Sequence, residues 1–140
     1  EQLLALANTV PVLVWSADAT GRCTFVSDRW KEYTGSDPHG AMHQGGEEVV
    51  HPDDLAGMRA RWEEAVRSAT EYHDHFRMRR ADGAYRWVQC SAAPQGGADG
   101  QVRRWFGTCT DVDDARTAAE RLRVQEEALR VADRRKDEFL

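Results

Sequence analysis

The order of the predicted elements indicates an α+β domain, with a five-stranded, largely antiparallel sheet and helices on one of its faces. At the start of the chain, apolar residues 10–15 and 23–26 flank a turn at residues 18–21, which is typical of a β-hairpin. Helical patterns and loops occupy the middle of the chain. Three more strand segments then follow and complete the sheet. They are residues 72–80, 85–93 and 102–110.

Two helices are predicted between the hairpin and the last three strands. Ser27 is suited to cap a short helix that carries Trp30 and Tyr33 on one face, and Gly35 supplies its end. The second helix begins at residues 51–54 (HPDD), where proline suits the first helical position and the aspartates complement the helix dipole. Its buried stripe recurs at helical spacing and consists of Leu55, Met58, Trp62, Ala65 and Val66.

The last three strands carry the signals of two connections. Residues 81–83 (ADG) provide the glycine of a tight hairpin, and residues 94–100 form a glycine-rich loop. In residues 72–80, alternation predicts one buried and one exposed face. The buried face is predicted to hold Tyr72, Phe76 and Met78, and the other face His73, His75, Arg77 and Arg79.

A long helix is predicted from about residue 113 onward. Apolar residues recur there at alternating spacings of three and four, which is the heptad pattern of a coiled coil. Gln125 and Lys136 occupy seam positions that usually hold apolar residues, so we expect a weak, switchable coiled coil. The residues predicted to pair two copies of the chain are Ala118, Leu122, Leu129, Ala132 and Phe139.

Composition argues against several classes of function. The net charge of −5 disfavours a nucleic-acid partner, which requires a basic face. No apolar run approaches the roughly 18–20 residues of a membrane-spanning helix, so we expect no direct membrane contact from this chain. The three cysteines fit neither a disulfide framework nor a zinc site, and they indicate a reducing cytosol. Cys90 and Cys109 lie in predicted strands with apolar neighbours, so they are expected to be buried, inert thiols.

Four segments in succession resemble the motifs of bacterial PAS domains. Residues 25–35 (FVSDRWKEYTG) are similar to the family's second strand and first helix, and residues 51–55 (HPDDL) to the start of its long helix. Residues 76–88 (FRMRRADGAYRWV) resemble its R-x-x-R-x-D-G-x-Y-R-W-V hairpin, and residues 107–113 (GTCTDVD) the segment that ends the domain. Residues 133–140 (DRRKDEFL) resemble the opening of the dimerisation and phosphoacceptor helix of histidine kinases.

The resemblance implies a PAS fold and a chain in three parts. These are a lead-in helix at residues 1–8, a PAS domain at residues 9–114, and a coiled-coil linker helix at residues 115–140 that enters the kinase helix. Because Glu1 and Leu140 both fall within helical patterns, we expect a longer parent protein.

The implied function is that of a sensory, regulatory module of a two-component histidine kinase, without catalysis of its own. It would control autophosphorylation through the coiled coil. The phosphorylated histidine of that family would lie beyond Leu140, so this chain is not expected to be phosphorylated. The expected partners are a second copy, the kinase domains of the same protein and, through the parent, a response regulator. The expected location is the cytoplasm, with the parent either soluble or membrane-anchored. The alternative is a ligand-free domain that dimerises and relays a signal.

No metal or cofactor is predicted. Haem-binding members of the family usually carry an axial histidine on the long helix, and residues 53–69 contain none, which leaves His39 and His43 in the preceding loop. Flavin photoreceptors of this fold carry a reactive cysteine after the first helices, and that region has none. His73 and His75 could form a metal clip, but two arginines share their face and oppose a cation, so we expect solvated or interface histidines.

The large apolar residues expected between sheet and helices allow two interpretations. They either fill the core or line a pocket for a small, unknown ligand, and the sequence does not separate these because both use the same residue types. The pocket candidates are Trp15, Phe25, Trp30, Tyr33, Met42, Met58, Trp62, Phe76 and Met78.

A joint between the sheet and the last helix is expected at residues 111–114 (DVDD). Asp111 is predicted to anchor the end of the last strand, and Asp113 to cap the outgoing helix. A change in the sheet would pass through this joint and shift a bistable helix pair.

Overall fold

The computed structural model describes residues 12–36 and 47–139, and it contains one five-stranded antiparallel sheet in the order β2-β1-β5-β4-β3. The predicted fold class is therefore confirmed. The strands are β1 (Val12–Asp18), β2 (Cys23–Val26), β3 (Tyr72–Arg79), β4 (Tyr85–Gly96) and β5 (Val102–Asp111). The helices are α1 (Asp28–Thr34), α2 (Pro52–Ser68) and α3 (Asp113–Phe139), with a 3₁₀ turn at Glu47–Val49. The predicted lead-in helix at residues 1–8 lies outside the described residues.

Strand β5 lies at the centre of the sheet and pairs with β1 on one side and β4 on the other. Because side chains alternate along a strand, each strand presents one row to the core and one to the opposite face. Leu13, Val88 and Trp105 belong to the inner row and are almost fully buried. Val14 and Phe106 belong to the outer row and are partly exposed. The core thus lies on one side of the sheet, between it and helices α1 and α2.

The helix ends follow the local chemistry of the sequence. The Ser27 hydroxyl accepts a hydrogen bond from the Trp30 amide at the start of α1, and Gly35 ends the helix in the left-handed conformation, with φ of 67°. His51 caps α2, because its Nδ1 accepts a hydrogen bond from the amide of Asp53 at 3.1 Å. This contact explains why a histidine precedes the proline at the start of α2.

Cys90 and Cys109 form a disulfide, which corrects the sequence prediction of two free thiols. The sequence separation of 19 residues gave no sign of pairing, since it matches no cysteine framework. The pairing arises from strand register, because Cys90 on β4 lies directly opposite Cys109 on β5 with their Cα atoms 4.2 Å apart. Cys23 is a free thiol on β2.

Helix α3 leaves the domain with none of its described residues buried. Its contacts with the rest of the chain are made by its first turns, which lie beside β4. Among the described residues, no helix combines the length and apolar composition that crossing a membrane requires.

Candidate ligand cavity and signalling joint

A cavity of about 340 Å³ lies between the inner face of the sheet and the helices. Its wall includes side chains from β1 to β5, α1 and α2, and it is partly open to solvent. Six of the nine sequence-predicted pocket residues line it. They are Trp15, Trp30, Met58, Trp62, Phe76 and Met78.

Two of the other predicted pocket residues, Phe25 and Tyr33, do not line the cavity. Phe25 pairs with Ser16 on the outer face of the sheet and is 49% exposed, so its predicted position in the core is wrong. Strand parity decides this, because Val26 takes the inward position next to it. Tyr33 packs against the core, but its hydroxyl points to the end of β5. Met42 lies outside the described residues.

Trp62 is the centre of an aromatic cluster in the cavity wall. Its ring lies 5.4 Å from that of Trp15, 5.1 Å from that of Tyr72 and 5.0 Å from that of Trp105, each in a T-shaped arrangement. The Trp62 indole N–H donates to the carbonyl of Gly21 at 3.0 Å, which ties α2 to the β1–β2 turn. Sequence reasoning did not name Tyr72 as a pocket residue or Trp105 as a neighbour of Trp62. The inward positions of these residues on β3 and β5 were the available signal.

Glycine at position 107 allows the Trp15 indole to lie against the sheet. The two residues are paired between β1 and β5, and a Cβ built on Gly107 would meet Trp15 ring atoms at 2.3 and 2.4 Å. A larger residue on β5 would push the indole away from this position. The shape of the cavity wall therefore depends on a residue with no side chain.

Two charged residues lie among the lining residues of this otherwise largely apolar cavity. Arg22 is exposed on the β1–β2 turn, and Glu47 begins the 3₁₀ turn before α2. The Glu47 carboxylate accepts a hydrogen bond from Arg59 Nε at 2.9 Å, which connects it to α2. The remaining lining residues are Gly21, Cys23, Val26, Val50, Tyr72, Cys90 and Cys109.

Asp111, at the end of β5, holds three elements together. Its carboxylate accepts hydrogen bonds from Arg86 Nε at 2.6 Å and from the Tyr33 hydroxyl at 2.7 Å, so it connects β4 and α1. Its other oxygen accepts a bond from the amide of Asp113 at 2.9 Å, at the first residue of α3. Asp111 therefore connects the end of β5 to β4, to α1 and to the start of α3.

The electrostatics of this joint favour the charged form of the carboxylate. Burial raises the pKa of Asp111, but the hydrogen bonds from Arg86, from the Asp113 amide and from Tyr33 together outweigh it, and the pKa lies below its ordinary value. Burial and the neighbouring carboxylate raise the pKa of Tyr33, so its phenol stays protonated and remains a donor. The Arg86–Asp111 pair is thus a fully formed ion pair near neutral pH.

Asp113 has a different role from the predicted helix cap. Its carboxylate accepts a hydrogen bond from the amide of Trp87 on β4 at 3.0 Å, and so bonds across to the sheet. The amide of Val112 donates to the Trp87 carbonyl at 2.9 Å, which continues the same attachment. Sequence reasoning missed this role because a partner on another strand is set only by tertiary structure.

Trp87 lies on the outer face of the sheet between two guanidinium groups. Arg116 of α3 lies 4.1 Å from its ring centroid, and Arg77 of β3 lies 5.3 Å from it. Arg77 in turn forms a bidentate ion pair with Asp54 in the first turn of α2, with bonds of 2.9 Å. A continuous set of contacts therefore connects α2, which lines the cavity, with the first turn of α3.

The histidines of β3 are held by ordinary surface contacts. His73 lies 3.2 Å from the Ser91 hydroxyl and 3.2 Å from a carboxylate oxygen of Glu71, and both His73 and His75 are exposed. Within residues 12–36 and 47–139, no three His, Cys, Asp or Glu side chains are grouped so as to hold a metal ion.

Comparison with known proteins identifies the family. The model of the PAS fold matches residues 24–109, which include strands β3 and β4, helices α1 and α2 and most of β2 and β5. The chain belongs to the PAS family. The motifs that suggested this resemblance coincide with the caps, the β3–β4 hairpin and the joint described above.

Two curated relatives and one solved structure illustrate where such PAS domains occur. An uncharacterized protein of Sinorhizobium fredii, y4lL, is 34% identical over 126 residues, which cover 90% of this chain and 15% of that protein. The peroxide stress-activated histidine kinase mak1 of Schizosaccharomyces pombe is 31% identical over 124 residues, which cover 88% of this chain and 8% of that protein. This PAS chain therefore spans only a small part of either relative.

The fold is shared with a crystal structure of a sensory box histidine kinase/response regulator from Burkholderia thailandensis. The two superpose with a TM-score of 0.68 at 24% sequence identity, over 93% of this chain and 98% of that one. At this identity the likeness concerns the fold.

Proposed function

We propose that this PAS domain is the sensory module of a histidine kinase, which binds a small ligand in its interior cavity and controls the kinase through helix α3. The observation that carries the proposal is the cavity itself. A domain that served only as a relay would need no interior space of about 340 Å³ beside its core. The module is proposed to be non-catalytic and cytoplasmic.

The cavity wall indicates the class of ligand. Aromatic and methionine side chains dominate it, so a ligand is bound mainly by burial of apolar surface. Among the described residues, Arg22 and Glu47 are the charged lining residues available to a polar group. The volume lies near the lower end of the range for ligand pockets, which favours a small ligand over a haem or a flavin nucleotide.

Transmission is proposed to pass through Asp111 and Trp87. A ligand that displaced Trp62 or the inner face of β5 would alter the positions of Tyr33 and Arg86, whose bonds meet on Asp111. Since Asp111 and Asp113 together fix the first turn of α3, its direction would change. The coupling needs two alternative arrangements of α3, as in other helix-shift switches.

A second copy of α3 is the proposed partner of the exposed seam. Leu122 is 56% exposed, Leu129 66% and Phe139 94%, and Ala118 and Ala132 are exposed beside them. Burying this stripe in a parallel coiled coil would give both copies a common axis for the helix shift. The kinase role is supported by one curated relative, since mak1 is described as a histidine kinase.

The first test is native mass spectrometry of the purified chain together with its absorption spectrum, compared with the mass after denaturation. The expected result is a dimer that carries additional non-covalent mass, which then identifies the ligand. A dimer without added mass, even after incubation with candidate small apolar compounds, would contradict sensing. That outcome would favour the alternative function, a ligand-free dimerisation and relay domain.

The second test compares two carboxylates of the joint in the full-length kinase. Asp111→Asn removes the ion pair with Arg86, whereas Asp114→Asn removes only a bond from the same arginine to a carboxylate that is 94% exposed. We expect Asp111→Asn to abolish the response of autophosphorylation to ligand with the fold intact by circular dichroism. Asp114→Asn should leave the response nearly unchanged, because exposed ion pairs contribute little. An unchanged response in Asp111→Asn would refute the role of the joint.

A further inference from the structure

We propose that Cys90 and Cys109 are a reversible thiol–disulfide modification site on the cavity wall, oxidised by a small peroxide and reduced by a cellular thiol. Because strand register places the two cysteines opposite each other, both the dithiol and the disulfide can form. They are directly opposite on β4 and β5, with Cα atoms 4.2 Å apart, a separation typical of a non-hydrogen-bonded antiparallel pair. The sheet therefore holds the two sulfurs within bonding reach whether or not they are joined.

The compartment proposed for this domain gives the bond a regulatory meaning. Cytosolic thiols are kept reduced, and disulfides that form there are mostly transient and redox-sensing. Cys90 and Cys109 are only 3% and 4% exposed, so large reductants and oxidants do not reach them through the outer surface. Cys90 and Cys109 both line the cavity, which gives a small reagent a path to their sulfurs. The reagent class that fits is hydrogen peroxide or a similarly small hydroperoxide.

The chemistry balances without a metal. One thiol, as its thiolate, attacks a peroxide oxygen and forms a sulfenic acid, while the O–O bond breaks and the departing hydroxide takes up a proton as water. The second thiol then attacks the sulfenic sulfur, the S–S bond forms, and the hydroxyl leaves with the thiol proton as a second water. Two electrons pass from the cysteine pair to the peroxide. A thiol reductant returns them by thiol–disulfide exchange.

The position of the pair connects it to the joint. On β5, Cys109 precedes Asp111 by two residues, and on β4 the next inward position, Val88, is paired with Asp111. Breaking the S–S bond moves the sulfurs apart to van der Waals contact, and this displacement falls between the cavity and the Asp111 anchor. This regulatory consequence rests on the proposed function, whereas the thiol chemistry does not.

The test uses the chain with Cys23→Ala, so that the proposed pair holds the remaining thiols. After reduction and removal of reductant, hydrogen peroxide is added, and the denatured protein is alkylated and its intact mass measured. We expect loss of both alkylation sites, a mass lower by two hydrogen atoms, a monomeric covalent state, and full reversal by dithiothreitol. Retention of two alkylatable thiols, over-oxidation to sulfinic acids, or disulfide-linked dimers would each overturn the proposal.

A matched variant checks the identity of the pair. Cys90→Ser in the native background leaves Cys23 and Cys109, and it should form no internal disulfide on the same treatment. An internal disulfide in that variant would overturn the assignment. The experiment with Cys23→Ala remains decisive even if Cys90→Ser folds poorly.

The signalling part has its own readout. Hydrogen exchange of the Val112 amide, which donates to the Trp87 carbonyl, should be roughly threefold or more slower in the oxidised than in the reduced protein, because local opening sets exchange rates. Equal exchange in the two states would overturn the link to α3 and leave the thiol chemistry established. If peroxide does not form the Cys90–Cys109 disulfide while Asp111→Asn still abolishes regulation in the full-length kinase, this inference alone is overturned. The proposed function then stands.

Discussion

Replacing Gly107 by alanine tests the construction of the cavity wall. An alanine Cβ at this position would lie 2.3 to 2.7 Å from three atoms of the Trp15 indole, which is closer than real Cβ atoms approach. The Gly107 backbone does not adopt positive φ, so the substitution meets no conformational barrier of its own. The nearest obstacle is the indole, which must tilt or shift towards the cavity.

The expected change in the free energy of unfolding follows from two opposing contributions. Overpacking a core costs about 1–3 kcal/mol, and removing a glycine lowers the entropy of the unfolded chain and returns about 0.4–1 kcal/mol. We therefore expect Gly107→Ala to lower the free energy of unfolding by about 1–2 kcal/mol. For a chain of this size that corresponds to a decrease in Tm of about 3–8 °C.

The assay is urea unfolding followed by tryptophan fluorescence, with Gly57→Ala as the matched control. Gly57 lies inside α2, where an added Cβ meets only the flexible end of Arg61, so this variant should be about 0.5–1 kcal/mol more stable than the original chain. A double-mutant cycle with Trp15→Phe completes the experiment, because a smaller ring leaves room for the methyl group. The reasoning is refuted if Gly107→Ala is as stable as the original chain. It is also refuted if Trp15→Phe does not reduce the loss in free energy of unfolding that Gly107→Ala causes.

Three further predictions concern the contacts around the cavity and the joint. Trp62→Phe removes the hydrogen bond to the Gly21 carbonyl and part of the aromatic cluster, so it should lower the free energy of unfolding by about 2–3 kcal/mol in a denaturant titration. Trp87→Leu removes contacts with two guanidinium groups and should cost about 1 kcal/mol, with faster hydrogen exchange in the first turn of α3; unchanged exchange there would contradict the proposed attachment. The hydrogen bonds from Arg77 lower the pKa of Asp54, so its stabilising contribution is complete above the unfolded-state pKa of about 4 and is lost as pH falls through the lower folded-state pKa. Urea midpoints should therefore decrease below about pH 4, and Asp54→Asn should flatten that decrease; an equal slope in both proteins would contradict this assignment.

Local chemistry made much of the fold readable in advance. Ser27, Gly35 and the HPDD segment set the ends of α1 and the start of α2, because caps, left-handed turns and helix dipoles act over a few neighbouring residues. Alternation in β3 identified which side chains face the core, since parity along a strand is fixed by backbone geometry. Phe25 shows where this fails, because a strand of four residues gives too short a pattern to fix its parity.

The amino-acid pattern was enough to predict the fold class, the helix that leaves the domain and six of the fifteen described residues that line the cavity. It did not determine whether those residues fill the core or surround a cavity, because the same aromatic and methionine side chains do either. That depends on packing volumes summed over many elements. Nor did it reveal the pairing of Cys90 with Cys109, or the bond from Trp87 to Asp113, because strand register brings together residues 19 and 26 positions apart. Those contacts form only when the strands are paired in the folded sheet, and the proposed signalling depends on them.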